Sequence, residues 1–354
     1  MPTLCGALAR DASAVACVPG PGVKSTTAAD AAGVAAARDA CAAADVCVVA
    51  LGFDGSVCGE GTDRASTGLD GLQGNLSAAV LALGKPVVFV LFNGGTLAID
   101  SIVHAPVGSV AIVEAFNPGV AGGTPVADAL FGRANRWGKL PVSWPPAAYY
   151  NLLPIEEMDM VLGGNGAGRT YKYYNATSVA AQTGAPGDNL YELGFGLSYS
   201  TFTLSGSCPV HPPWRVESAA AALAAPPLAC SVTVTNTSPR DGDEVVTVFV
   251  VPAAAAVARG RAALSARAPR RDPLASRLLV AFARVAVPAG GQAVVPFNIT
   301  LPSFAGVADD GARTLYAGAY DVVFSRGHGA DVVVAVDVGA AGAAPLALRR
   351  DPTW

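Results

Sequence analysis

The chain has 354 residues, 52% of them hydrophobic and 14% charged, with a formal net charge of -4. That length suggests two or three domains, and the anionic excess excludes a phosphate-binding surface built from clustered Lys and Arg, so no nucleic-acid partner is expected. Apolar stretches such as Ala78 to Phe92 are cut by Gly84, Lys85 and Pro86; none reaches the roughly 18 uninterrupted residues of a spanning helix, so no membrane is expected either.

The opening residues, MPTLCGALARDASAV, have no basic start followed by an apolar run, so no secretory signal is read; the protein is cytosolic or its true N-terminus is missing. From Ser13 to about Trp144 apolar strands alternate with helix-like stretches. The expected order is strand SAVACV, a helix from Asp30 to Ala44, strand VCVVALGF, a helix from Gly71 to Leu83, and strand PVVFVLF. A helix from Thr96 to His104, strand SVAIVEAF, a helix from Val120 to Phe131 and KLPVSW complete the series. Val-rich strands bracketed by helices predict an α/β three-layer sandwich with a mostly parallel sheet covered on both faces. Ligands of such sheets gather beyond the carboxyl ends of the strands. Three segments fall there: Gly52 to Arg64, Asn93 to Thr96 and Phe116 to Gly123. The first, GFDGSVCGEGTDR, places Asp54, Glu60, Asp63 and Arg64 in a glycine-rich loop. It is either a carboxylate site or a solvated turn.

Residues 146–200 break this rhythm with PPAAYYNLLP, GGNGAGRTYKYY and LYELGFGLSYSTF, and seven Tyr and two Phe between positions 149 and 202 predict an ordered connection docked on a neighbour. From 201 to 345, seven short strands at sandwich spacing predict an all-β, antiparallel sandwich: TFTLS, LACSVTVTNTS, DEVVTVFVVP, RLLVAFARVAV, QAVVPFNITL, LYAGAYDVVFS and ADVVVAVDVG. An Arg/Ala-rich insertion at 253–273 reads as a solvated or partly disordered loop.

Seven cysteines without a CxxC pair and three scattered histidines (His104, His211, His328) give no zinc spacing, so no metal site is expected. Cys208 and Cys230 flank the start of the sandwich and either pair or remain reduced. Four of the ten asparagines open N-x-S/T sequons, at 75, 175, 236 and 298, which tilts the reading toward secretion. GPGVKSTT at 20–27 lacks the G-K-S/T of a phosphate loop, and GGNGAG at 163–168 and GFGLSYS lack dinucleotide and nucleophile-elbow spacing, so all three read as turns.

In order, GFDGSVCGEGTDR, PVVFVLFNGG, AFNPGVAGGTPVADALFGRANRWGKLPVSW, GRTYKYY and LYELGFGLSYSTF resemble the C-terminal half of family 3 glycoside hydrolases. TNTSPRDGDEVVTVFVVP and LLVAFARVAVPAGGQAVVPFNI resemble the fibronectin type III-like module that closes many of them, and GRTYKYY, LLPIEEMDM and the GxxDR ending are similar to the β-xylosidase and α-arabinofuranosidase branch. The resemblance divides the chain into an α/β sandwich at 1–145, the aromatic connection at 146–200 and a fibronectin type III-like sandwich at 201–345. It implies a retaining mechanism with two carboxyl groups about 5–5.5 Å apart. The nucleophilic Asp would lie on an N-terminal (β/α)₈ barrel and the acid/base Glu on the α/β sandwich. No room for a barrel is read upstream of residues 5–18, so the nucleophile is expected to be absent.

The branch usually reads SxExEGxDR where this chain has SVCGEGTDR: Ser56, Glu60, Gly61, Asp63 and Arg64 match, and Cys58 takes the first glutamate position. A thiol with an ordinary pKa near 8.5 is a poor proton donor to a leaving oxygen. Glu60 is therefore the acid/base candidate, with a substrate hydrogen bond or an ion pair to Arg64 as its alternative roles. Asp63 and Arg64 are assigned to substrate binding, with a charge-assisted pair fixing the loop as the structural alternative. The expected function is that of a partial, exo-acting, β-xylosidase-like glycosidase, removing terminal sugars from xylan-type oligosaccharides once a barrel is supplied. It would need no cofactor, bind an oligosaccharide and act outside the cell. The alternative is a non-catalytic carbohydrate-binding or scaffold protein.

Overall fold

A computed structural model describes residues 3–10, 15–18, 31–105, 110–154, 156–161, 163–209, 214–263, 274–308, 311–340 and 345–349. GPGVKSTT, His211 and residues 264–273 of the insertion lie outside the described residues. The chain divides into two compact units, Met1–Ala134 with Pro145–Asn151, and Asn135–Trp144 with Leu152–Trp354.

The first unit holds three parallel strands in the order β1 (Cys47–Gly52), β2 (Val87–Phe92), β3 (Val110–Glu114). Central β2 is apolar at every position because both its faces are packed: Val87, Phe89, Val90 and Leu91 are 0–1% exposed. Five helices accompany the sheet: α1 (Leu4–Ala9), α2 (Ala31–Ala43), α3 (Gln73–Leu81), α4 (Asp100–Val103) and α5 (Gly123–Leu130). A sixth, α6 (Ala147–Tyr150), closes the unit. Leu76 and Val80 of α3 and Ile102 of α4 are buried, whereas α2 buries no residue and owes its form to its alanines. A disulfide from Cys41 in α2 to Cys47 in β1, and Lys85 Nζ donating to Ala44 O at 2.7 Å, tie that helix to the sheet.

Three expected elements differ. SAVACV does not form a strand over residues 15–18, and Ser13 and Ala14 lie outside the described residues. Cys17 is disulfide-bonded to Cys5 of α1, and Val15 packs on Ala7, Leu8 and Ala127, so the segment follows α1 and α5. The helix expected from Thr96 begins only at Asp100, because Thr96 O accepts from Arg64 and Ala98 N donates to Thr67 O. KLPVSW makes a single bridge, Trp144 to Tyr191, within the second unit. Leu140 N donates to Phe195 O and Pro141 has no N–H to offer a ladder.

The second unit contains α7 (Gly163–Gly166), α8 (Thr170–Tyr173), α9 (Ala176–Thr183), α10 (Ala219–Ala224) and α11 (Ala254–Ala263). GGNGAG thus begins as a helical turn, and the start of the Arg/Ala-rich insertion, expected as a loop, is helical through its alanines. Its strands are β4 (Phe202–Ser207), β5 (Trp214–Val216), β6 (Leu228–Asn236), β7 (Gly242–Pro252), β8 (Leu278–Val287) and β9 (Gln292–Ile299). They continue as β10 (Gly306–Val307), β11 (Arg313–Leu315), β12 (Gly318–Ser325), β13 (Val332–Ala340) and β14 (Leu346–Arg349).

A five-stranded sheet, β5-β13-β12-β7-β8, and a three-stranded one, β4-β6-β9, enclose one core of Val232, Val234, Val246, Val248, Phe297, Val322 and Phe324. A third sheet runs β10-β11-β14, and all pairings are antiparallel except β13 with β5. Strict alternation along β6 puts one side of each residue pair inside and the other in solvent. Cys208 and Cys230 are disulfide-bonded, with Cα atoms 4.2 Å apart. On the other face of β7, Phe249 carries the Arg277 guanidinium 4.1 Å from its ring centroid and the Tyr171 ring edge-on at 6.3 Å.

Candidate functional site

The three loop segments expected at the carboxyl ends of the strands meet along one edge of the parallel sheet. Phe53 N donates to Phe92 O and Asn93 N donates to Phe116 O, while Arg64 Nη1 reaches Thr96 O at 3.3 Å. The exit from β1 depends on close backbone contact. Gly52 has φ 148°, and a Cβ there would lie 1.7 Å from Phe92 O, so only glycine fits. The side chain of Gln73, 3% exposed, acts as a surrogate strand to the same residue: Gly52 N donates to Oε1 at 2.7 Å and Nε2 donates to Gly52 O at 2.8 Å.

Beyond this anchor the loop folds on itself. Asp54 Oδ1 accepts from the Ser56 N–H at 2.9 Å and its hydroxyl at 2.5 Å, and those two bonds, the hydroxyl's foremost, hold the Asp54 carboxyl below its ordinary pKa. Gly59 and Thr62 pair across a tight turn, at 3.1 and 3.0 Å, which places Glu60 and Gly61 at the tip. Gly61 takes φ 77°, the positive value that the second central residue of such a turn requires. Glu60 is exposed and forms no hydrogen bond or ion pair among the described residues; the same holds for Asp63. Cys58, also exposed, is the free cysteine of the chain.

Arg64 is the residue that turns inward. Its side chain is 10% exposed, lies 4.2 Å over the Phe53 ring, donates through Nη2 to Gly68 O at 2.6 Å, and faces Asp70 Oδ2 at 3.8 Å. The Asp63–Arg64 and Glu60–Arg64 pairs, both open alternatives on sequence grounds, are therefore not formed; Asp70, six residues further along, is the ionic partner. Arg64 Nε is buried without a hydrogen-bond partner. Beside this group Thr96 Oγ1 and Tyr150 Oη are 2.5 Å apart, and burial raises the Tyr150 pKa.

At the end of β3 the edge carries a second carboxyl. Asn93, fully buried, donates through Nδ2 to both oxygens of Glu114 at 3.2 and 3.1 Å, and Phe116 N donates to Glu114 Oε1 at 2.7 Å. Burial outweighs those bonds and pushes the Glu114 pKa up to about 7. Phe116 is held at φ 49°, a left-handed conformation rare for an aromatic residue. Gln73, Asp70, Asn93 and Glu114 were not singled out from the sequence. The available signals were an acid inside an otherwise apolar strand, SVAIVEAF, and a glutamine in the first turn of a helix that buries one face.

A parallel sheet with carboxyl, amide and guanidinium groups gathered at its C-terminal edge is the framework of an α/β ligand-binding or catalytic module. A model of the glycosyl hydrolase family 3 C-terminal domain matches residues 7–199, more than half of the chain, and the chain belongs to that family. The protein named "Probable exo-1,4-beta-xylosidase bxlB" of Aspergillus oryzae is 30% identical over 304 residues, covering 84% of this chain and 35% of that protein. "Beta-D-xylosidase 1" of Arabidopsis thaliana is 38% identical over 174 residues, 49% of this chain and 21% of that protein. The solved structure "GH3 exo-beta-xylosidase (XlnD) in complex with xylobiose aziridine activity based probe" superposes with a TM-score of 0.72 at 25% identity, over 93% of this chain and 40% of that one. The chain thus spans 35–40% of the length of the two xylosidases it matches along most of its own length.

Proposed function

We propose that these 354 residues form the proton-donating wall of a β-xylosidase-type glycoside hydrolase, and that the nucleophilic carboxylate comes from a barrel these residues do not contain. The observation that carries this reading is the match to family 3 together with the position of Glu60, at the tip of an anchored turn on the carboxyl edge of the parallel sheet. In this reading Glu60 protonates the leaving glycosidic oxygen, then takes a proton from water as the glycosyl-enzyme intermediate is hydrolysed. Arg64 holds the loop against the sheet and Asp63 faces the sugar hydroxyls. The first unit is the three-layer α/β sandwich and the antiparallel sheets are a fibronectin type III-like module. Three disulfides fit an oxidising, extracellular setting in which terminal xylosyl residues are removed from xylan-derived oligosaccharides.

The test has two arms. The chain alone, offered nitrophenyl β-xyloside, is expected to show no turnover; turnover abolished by Glu60→Gln would show that the nucleophile lies within these residues. Grafted onto the barrel of the Aspergillus relative, the chain is expected to turn over substrate, with Glu60→Gln slowing it by 10²-fold or more, the range of general acid catalysis. A second reading, a carbohydrate-binding protein that keeps the fold without the reaction, is favoured by Cys58 standing at the first glutamate position of the branch. Calorimetric titration with xylobiose separates the two: binding by the isolated chain, with an inactive graft, supports the binder.

A further inference from the structure

The four sequons occupy four different environments. Asn236, 1% exposed, is a structural residue at the end of β6: Nδ2 donates to Arg240 O at 2.7 Å and Val287 O at 3.1 Å, and Oδ1 accepts from Ser238 N at 3.0 Å and its hydroxyl at 2.7 Å. At Asn75 the sequon hydroxyl, that of Ser77, is buried and donates to Gln73 O at 2.8 Å. Asn175 Oδ1 caps α9 by accepting from Ser178 N at 3.1 Å. Asn298 differs from all three. It points to solvent from β9 and caps nothing, its sequon residue Thr300 is exposed and its hydroxyl shares a bond of 3.2 Å with the Ser303 hydroxyl, and Ile299 between them anchors the strand in the core.

β9 is also an outer strand of its sheet, ordered β4-β6-β9, and its outward positions are Gln292, Val294, Pro296 and Asn298, with Val294 64% exposed. An outer strand with apolar side chains invites pairing with another chain unless its edge is blocked or covered, and Pro296, which has no N–H, interrupts this edge at a single position. We propose that Asn298 carries an N-linked oligosaccharide that covers the β9 edge, and that Asn236 carries none in the folded protein. Asn298 Nδ2 forms a bond to C1 of a polyprenyl-pyrophosphate-linked oligosaccharide, the C1–O bond to pyrophosphate breaks, and one amide proton leaves with the pyrophosphate. The modification is a surface one, because the glycan is bulky and solvated. It rests on the extracellular placement proposed above.

The test secretes residues 1–354 from yeast behind a cleavable foreign leader, which supplies the compartment whatever the native address. An unmodified Asn298 then counts against the site and leaves the placement standing. Enzymatic release of N-glycans in heavy-oxygen water, followed by peptide mapping, is expected to convert most Asn298 to labelled Asp and to leave Asn236 unlabelled. Asn298→Gln and Thr300→Val must each remove one glycan step on a gel while the thermal midpoint is retained. An unlabelled Asn298, a labelled Asn236, or a Thr300→Val chain that keeps the glycan overturns the assignment. On warming, Asn298→Gln is expected to aggregate faster than the parent; equal rates overturn the covering role.

Discussion

Two glutamates stand on the same edge of the parallel sheet in opposite conditions. Glu60, at the tip of the loop after β1, is open to solvent and engages no partner among the described residues. Glu114, at the end of β3, is bonded to Asn93 and Phe116 and has a pKa near 7. A proton donor that works near neutrality needs access to the leaving oxygen and an environment that favours the protonated carboxyl. This unit gives the access to one glutamate and the environment to the other. The accessible acid is complete only when something further walls it in, whereas the tuned one is committed to holding the left-handed Phe116 just beyond its strand.

The contrast depends on the sheet edge being rigid, and the largest effect comes from breaking it. Gly52→Ala puts a methyl into Phe92 O at a φ that alanine rarely adopts. We expect a loss of about 4 kcal/mol or more, in the range of severe backbone and packing clashes. Urea unfolding measures it; a loss below about 1 kcal/mol means that β1 and β2 are not as closely paired as described.

Glu114 sharpens the comparison through pH. Its folded pKa of about 7 lies above the ordinary 4.5. Between those values the unfolded chain releases a proton that the folded chain retains, so stability falls as pH rises from about 4.5 to about 7 and levels off above. The drop is at most about 3.4 kcal/mol, from 1.36 kcal/mol per pKa unit. Glu114→Gln is expected to remove most of the slope in that window, whatever it does to the absolute level. An unchanged slope shows that the acid titrates as an exposed group and that the contrast with Glu60 is false.

What was legible in the sequence follows from where the physics is local. VCVVALGF and PVVFVLF are long Val-rich runs with only one packing solution, and the structure places strands at Cys47–Gly52 and Val87–Phe92. The alternation of LACSVTVTNTS likewise reads directly as β6. SAVACV has the same composition, but a covalent link between Cys5 and Cys17 decides its place, and a disulfide partner cannot be read from residue spacing. At the site, the turn around Glu60 was legible because Gly59 and Gly61 bracket it. Arg64 was located but its ionic partner was not: the pairs with Asp63 and Glu60 were open alternatives, and Asp70 is the acid that returns to Arg64 by way of Gly68. Gln73 acts on the backbone of β1 and Asn93 on the Glu114 carboxyl of β3, roles that only the tertiary structure reveals.

Gln73 bears on the Glu60 side of the comparison alone, since it holds the strand end from which the Glu60 loop departs. Gln73→Leu roughly keeps the volume and leaves Gly52 N and O without their side-chain partner at a half-buried position. The cost of two unmet backbone groups is about 2 kcal/mol, and the expected signature is faster amide exchange at Gly52 with exchange at Glu114 unchanged. Equal acceleration at both would mean that the edge opens as one piece.

The smallest effect on stability is expected at the residue with the largest proposed role. Glu60→Gln removes a carboxylate that touches nothing within its unit, so the unfolding midpoint should move by less than about 0.5 kcal/mol, the usual range for surface changes. The same substitution in the active graft should slow turnover by 10²-fold or more with KM little changed, because general acid catalysis acts on the transition state and not on binding. At Glu60 the order is thus a small effect on stability and a large one on rate. A Glu60→Gln chain that unfolds easily but, once grafted, hydrolyses at the parent rate would reverse that order and make Glu60 a structural residue of the loop.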